Sequence, residues 1–303
     1  MLFCGVGGSG IVGDVLSDYA KQAVGIPVSV CRASSIPTYV GTNSLVIAVS
    51  YSGETEETLG LMRQALRKGA NLIVIGSAGR LIPLAQKESI PYLKTMPGLL
   101  PRVALPEMVA AALFALDRVG VVEDASELIS RAAGELEGEI ESISPSAPSS
   151  SNPAKQLASS LAGKLPLLIG REEDVSVLRR FKNGLNENSK VPAFYYAVPE
   201  AYHDDVEGLQ SLKELVRVQP VMLLGHEESE NDKRRRMRLY DLFGEIGYPS
   251  AFEFEGRGED RLSQLLTAIT FGDYVSAYLA VLRGVDPSEL MVIPSLRKLM
   301  QRS

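Results

Sequence analysis

The sequence predicts an α/β protein of two doubly wound parallel-sheet units. Three observations lead there: short apolar runs alternate with amphipathic stretches, Gly- and Ser-rich junctions follow several of the runs, and the alternation restarts after a Ser/Pro-rich interruption. Buried runs joined by helical crossovers make parallel strands, because a parallel pair needs a connection of a dozen or more residues. With 303 residues, 45% of them hydrophobic, the chain exceeds the usual length of one domain and can bury two cores.

The first strand covers residues 2–5, so close to Met1 that an upstream helix or a natural start are both compatible with it. "GVGGSG" follows, then the helix-like "IVGDVLSDYAKQ". Further apolar runs at 28–31, 45–50, 72–76 and 92–96 complete a parallel sheet, and a helix is expected over 105–119. A charged, helix-prone stretch then leads into "SISPSAPSSSNPAK", residues 142–155, where Ser and Pro mark a surface linker. Beyond it "LPLLIG", "AFYYAVP", "VQPVMLLG" and "SAFEFEG" are strand-like, each ahead of a polar or amphipathic segment. The expected division is 1–122 for the first unit, 123–155 for the helical and Ser/Pro linker, and 156–303 for the second unit, which ends in a helix. The repetition is architectural, with no strong sequence repeat.

Composition narrows the function. A net charge of −6, from 37 acidic against 31 basic residues, offers no basic field for nucleic acid or an anionic membrane surface. A small soluble ligand is the better partner. Cys4 and Cys31 are too few for a disulfide framework, and Cys4 lies in a strand where a free thiol packs. No apolar run approaches the roughly 20 residues needed to span a bilayer, and "MLFCGVGGSG" has no charged segment ahead of a long apolar one. A cytoplasmic protein is expected. His203 and His226 lie 23 positions apart and the cysteines are separate, so no metal-ligand cluster is recognisable.

The chemistry concentrates at strand-to-helix junctions. In "SYSGETEET", Ser50, Ser52 and Thr55 surround Gly53 where the strand at 45–50 gives way to a helix. Carboxyl ends of parallel strands form the ligand crevice of an open α/β sheet. A helix N-terminus there presents unsatisfied N–H groups and about half a positive charge, so added hydroxyls make a socket for a phosphate dianion. Ordinary N-capping is the competing reading, but one hydroxyl suffices for a cap. The stretch lacks the Gly-Lys-Ser/Thr ending of a nucleotide triphosphate loop, so a phosphorylated metabolite fits better. The second loop, "GVGGSG", satisfies G-x-G-x-x-G after a strand, yet the acidic residue expected about 20 positions on is replaced by Arg32 in "VCRAS". A dinucleotide site would then need an NADP preference. The favoured role for Gly7, Gly8 and Ser9 is to bring backbone close to the sugar end of the same ligand.

These two loops together resemble the sugar isomerase (SIS) domain, and "KNGLNENSKVPAFYYAVPEAYHDDVEG" resembles the bifunctional phosphoglucose/phosphomannose isomerases, across essentially the whole chain. The resemblance implies two SIS subdomains built as flavodoxin-like αβα sandwiches. It also implies a homodimer with shared active sites, no required cofactor, and reversible conversion of glucose 6-phosphate and mannose 6-phosphate to fructose 6-phosphate. Such a reaction opens the ring, removes the C2 proton, passes through a cis-enediolate and returns the proton to C1. The resemblance makes Glu187 in "LNENSK" the base, with desolvation expected to raise its pKa. His203 in "PEAYHDDVEG" moves a proton during ring opening, as imidazole titrates near neutrality, and its counterparts reach the site from the neighbouring subunit. The competing reading for His203 is a loop histidine satisfied by Asp204 or Asp205.

Arg102 in "LLPRVALPEM" matches the position whose fixed cation stabilises the enediolate; the alternative is a surface arginine ahead of a helix. The corresponding lysine of the last helix falls on Arg297 by ungapped counting and on Lys298 with one insertion. Adjacent helical residues point about 100° apart, so only one of them fills the role. Leu290 or Met291 stands where similar enzymes carry a small polar residue near C2 and C3 of the sugar. Two other functions fit parts of the pattern: a non-catalytic sugar-phosphate-binding regulator, which needs only the hydroxyl loop, and a dehydrogenase using "GVGGSG".

Overall fold

The computed structural model describes residues 1–300; residues 301–303 and the side chain of Arg297 lie outside the described residues. By internal packing the chain forms two units. The first comprises residues 1–134 with 258–266, and the second 135–257 with 267–303.

In the first unit β1 (Leu2–Cys4), α1 (Gly7–Ala23), β2 (Ser29–Cys31), β3 (Leu45–Val49), α2 (Glu56–Arg67), β4 (Asn71–Gly76), α3 (Leu81–Lys87), β5 (Tyr92–Lys94) and α4 (Leu105–Arg118) alternate as expected. All five strands are parallel, in the order β2-β1-β3-β4-β5. The order reverses direction between β1 and β3, which makes their carboxyl ends the switch point where ligands bind in such sheets. β1 and the last four residues of β3 are fully buried apolar runs, as strands covered on both faces should be. Gly13 lets α1 lie directly on β1: a Cβ there would stand 2.6 Å from the Cβ of Phe3.

Cys4 and Cys31 are register partners on neighbouring strands and both are buried free thiols. Burial, reinforced by the Cys31 sulfur, pushes the Cys4 thiol up to about 12. At neutral pH it therefore stays a protonated packing group, the role its strand position suggests.

α5 (Ala125–Ile143) passes from the first unit into the second. The Ser/Pro stretch after it is surface-exposed for most of its length, and it is pinned by hydrogen bonds. Asn152 caps α6 (Pro153–Leu161) by accepting the Lys155 N–H at 2.9 Å, while its amide donates to Ser144 O at 3.0 Å and Lys155 Nζ reaches Pro145 O and Ala147 O.

The second unit continues through β6 (Leu165–Arg171), α7 (Val175–Glu187), β7 (Phe194–Val198), α8 (Leu209–Leu215), β8 (Val218–Leu224), α9 (Glu230–Glu245) and β9 (Phe252–Glu255). Its sheet is again parallel, in the order β7-β6-β8-β9. α10 (Arg261–Leu282) and α11 (Val292–Met300) close the described chain.

One expectation needs correction. α10 is a 22-residue helix long and apolar enough, by length and composition, to cross a membrane, and 61% of its most apolar window is buried inside the fold. A single Asp273 and scattered Ser and Thr residues interrupt its apolar sequence, which is why the run is not evident by eye. Within the fold Asp273 pairs with Arg180 at 2.8 Å, and Ser276 donates to Asp273 O and accepts from Asn188.

Candidate functional site

Residues 50–55 link β3 to α2 at the switch point of the first sheet. Ser50 is buried; its Oγ donates to Thr55 Oγ1 at 3.0 Å and accepts the Gly53 N–H at 3.2 Å. Thr55 is the N-cap residue of α2, yet its side chain makes no capping bond. Simple capping therefore does not account for this hydroxyl. Ser52 is exposed and accepts the Glu54 N–H at 3.3 Å, which keeps its own proton available to a partner.

The glycine loop joins this cluster. α1 starts at Gly7 with Val6 as N-cap and no side-chain cap, so the N–H groups of its first turn are open to an anion. Ser9 is buried, and its Oγ accepts the Tyr51 N–H at 3.1 Å. A Cβ on Gly8 would lie 3.4 Å from Pro101 O and 3.8 Å from Arg102 Cα. Arg102 therefore stands beside the loop, and at 7% exposure it is a buried residue, unlike the surface arginine of the competing reading. Tyr51 anchors the segment leading to it, donating its hydroxyl to Met96 O at 2.9 Å and accepting the Leu99 N–H at 2.7 Å. Gly8, Ser9, Ser50, Ser52, Thr55 and Arg102 are thus one neighbourhood. Arg32 is committed elsewhere: its guanidinium donates to Gly10 O at 3.0 Å and to the Asp14 carboxylate. It is therefore held on α1, which removes the cation an NADP reading of "GVGGSG" relied on.

In the second unit Glu187 is the last residue of α7 and is half-buried. The helix end is fixed by Lys190, whose left-handed backbone (φ 57°) turns its ammonium onto the carbonyls of Glu187 (2.6 Å), Asn188 (3.3 Å), Asp286 (3.0 Å) and Glu289 (2.7 Å). Asn188 adds a bond to Ser276 at 2.8 Å. His203 follows β7 at the end of a short 3-10 turn, Glu200–Tyr202, and its N–H donates to Glu200 O at 2.8 Å. Its ring is exposed and makes no hydrogen bond or ion pair among the described residues. Asp204 is spent on the Asp205 N–H at 2.6 Å, so it does not hold the imidazole. Lys298 is exposed on α11; just ahead of that helix Met291 is exposed and Leu290 partly buried, and the Arg297 side chain lies outside the described residues. Neither Glu187 nor Lys298 is hydrogen-bonded to His203 among the described residues.

At the carboxyl ends of β6 and β8 the second sheet has its own cavity, about 250 Å³, lined in part by Arg171, Tyr202, Met222, Glu228 and Arg236. Arg171 is tied to Asp174 at 2.9 Å, and Arg236 to Glu228 at 3.0 Å and Glu253 at 3.2 Å. Two of its cations are therefore engaged within the fold. Among the described residues no three His, Cys, Asp or Glu side chains group as metal ligands.

Three residues that shape these sites were not singled out from sequence: Ser77, Arg80 and Lys190. The signal for the first two is positional, since "SAGR" follows β4 at the same carboxyl edge as the hydroxyl loop.

Comparisons with known proteins agree with this layout. Residues 1–88 match the family described as SIS domain, and residues 150–300 match the Bacterial phospho-glucose isomerase C-terminal SIS domain. A bifunctional phosphoglucose/phosphomannose isomerase of Caldicellulosiruptor bescii is 33% identical over 98% of this chain and 88% of its own length. Another of that description, from Aquifex aeolicus, is 28% identical over 100% of this chain and 90% of its own. Among solved structures, a glucosamine-6-phosphate deaminase from Thermotoga maritima superposes with a TM-score of 0.69 at 18% identity, covering 94% of this chain and 86% of that one. That likeness is one of fold.

Proposed function

Because this chain belongs to the family of bifunctional phosphoglucose/phosphomannose isomerases, we propose that it interconverts glucose 6-phosphate and mannose 6-phosphate with fructose 6-phosphate through a cis-enediolate. It is an aldose-ketose isomerase of two SIS units. The observation that carries the substrate class is the hydroxyl cluster at the switch point of the first sheet, with buried Arg102 beside it. The relatives named above are isomerases, which leaves the non-catalytic regulator without support.

In this proposal Ser50, Ser52 and Thr55, with the N-terminus of α2, receive the sugar's phosphate, and Gly8 and Ser9 bring backbone to the sugar. His203 passes a proton between the ring oxygen and the C1 hydroxyl, which its uncommitted, exposed imidazole supports. Glu187 carries the proton from C2 to C1, and its anchoring at the end of α7 suits a group that must hold one position through both transfers. Arg102 stabilises the enediolate charge; its burial supports the role, since a cation away from water acts more strongly on developing charge. Lys298 or Arg297 supplies a further cation. A homodimer with shared active sites, in the cytoplasm and without a cofactor, belongs to the same proposal, as do subdomains at 1–122 and 156–303. Apolar residues exposed on α11, among them Val292 at 78% and Leu299 at 62%, support an assembly that covers them.

The test is a coupled assay for fructose 6-phosphate formed from each aldose 6-phosphate, run with EDTA and with nicotinamide confined to the coupling step. Turnover of both substrates is expected. Turnover of glucose 6-phosphate alone would mean that Leu290 and Met291 exclude the C2 epimer, and silence on both would overturn the proposal.

A further inference from the structure

The proposed socket has a charge problem. Glu54, Glu56 and Glu57 crowd the segment offered to a phosphate dianion. Acidic residues in the first turn favour α2 itself through its dipole, but like charges at the mouth of an anion site oppose the ligand. Arg80, from the loop after β4, answers this. Its Nε donates to Glu54 Oε2 at 2.7 Å, a terminal nitrogen to Glu56 Oε1 at 2.5 Å, and its backbone N–H to Glu54 Oε1 at 2.9 Å. The bond from Arg80 also holds the Glu56 carboxyl below its ordinary value.

Around that ion pair the two loops are joined backbone to backbone. Leu81 N–H donates to Gly53 O and Ser77 N–H to Tyr51 O, both at 3.1 Å, and the Ser77 hydroxyl adds a bond to Tyr51 O at 2.6 Å. Gly53 and Gly79 both have left-handed backbones (φ 67° and 70°); a Cβ on Gly53 would fall 1.8 Å from Ala78 O, and one on Gly79 2.3 Å from Ser52 O. The Arg80 and Glu54 side chains are about half exposed, so the ion pair itself adds little to global stability. Its effect is local, on the shape and potential of residues 50–56.

We propose that Arg80 is a positioning residue of this isomerase: it neutralises Glu54 and Glu56 and fastens the hydroxyl loop in the form that receives the phosphate, without contacting the phosphate itself. The inference rests on the phosphate-socket reading above. It differs from a direct phosphate ligand in one respect, because the need for Arg80 should vanish when the two carboxylates are removed.

Steady-state kinetics on Arg80→Ala, on Arg80→Lys and on the triple variant Glu54→Gln/Glu56→Gln/Arg80→Ala test this, with circular dichroism as the check on folding. Two carboxylates left facing a dianion should raise KM about tenfold at low ionic strength with kcat nearly unchanged. The increase should shrink as salt is added. The triple variant should return KM close to wild type, and Lys at position 80 should recover part of it. An unchanged KM in Arg80→Ala overturns the inference, and so does a raised KM that the triple variant fails to restore, since that marks a direct ligand. Phosphorus NMR titration with inorganic phosphate reads the socket without turnover. Wild type that binds phosphate in competition with sugar phosphate but does not isomerise overturns the isomerase reading, and leaves Arg80 to be judged by the variants' phosphate affinities. Wild type that binds no phosphate removes the socket and this inference with it.

Discussion

Gly53 sets the geometry of the proposed socket, since its φ of 67° and the 1.8 Å approach of Ala78 O to a Cβ built there are both closed to any other residue. Gly53→Ala should destabilise the protein by about 1–3 kcal/mol in urea unfolding, the range for a residue held in a disfavoured backbone region, and weaken sugar-phosphate binding. A variant as stable and active as wild type would mean that the loop has a second form. Glu187→Gln keeps the size of the side chain and removes its basicity. Turnover should fall by about 10²–10⁴-fold while binding of glucose 6-phosphate, followed by calorimetry, is retained; residual activity near wild type would take Glu187 out of the role of base. Residue by residue, the hydroxyls of "SYSGETEET" were legible because they sit within six positions of one another. Arg80 was not, because its partners Glu54 and Glu56 lie 26 and 24 positions away, and only the fold brings them to one edge. Lys190 was hidden for the same reason, with carbonyl partners 96 and 99 positions downstream.

α5 buries the Glu139 side chain to 5% exposure against Arg257 Nε at 3.1 Å. Burial raises the Glu139 carboxyl above its ordinary value, with Arg257 only partly opposing. The folded protein therefore holds this proton more tightly than the unfolded chain. Its contribution is fully present below about pH 4.3, the unfolded value, and is lost as pH rises through the folded value. Melting temperatures of wild type and Glu139→Gln compared from pH 4 to 7 should show wild type falling relative to the variant over that window. A gap that widened in favour of wild type would mean that the pair with Arg257 dominates. The central strands β1, β3 and β4 were the most legible elements, since two-sided burial makes them nearly continuous apolar runs. α10 was the least, because Asp273, Ser276 and their buried partners break its pattern.

For the molecule as a whole, the alternation of runs and crossovers carried both parallel sheets from sequence to structure, whereas the Ser/Pro stretch at 142–155 lies inside the second unit, beyond the division at residue 134. What the alternation could not carry was assembly. If Glu187 and His203 of one active site come from different copies, two inactive proteins should rescue each other: mixing Glu187→Gln with His203→Ala and allowing subunits to exchange should restore about a quarter of wild-type activity. Half the dimers would then be mixed, each with one intact site. No recovery after verified exchange would place both groups on one copy. A different consequence follows from residues 258–266, which belong to the first unit although the second supplies all of the chain between them and residue 134. Domains ordinarily fold in turn as the ribosome releases them. Here the N-terminal unit cannot be completed until residue 266 has emerged, after every strand of the second sheet has been synthesised. A gene fragment ending at the linker would encode a first unit that is permanently one segment short.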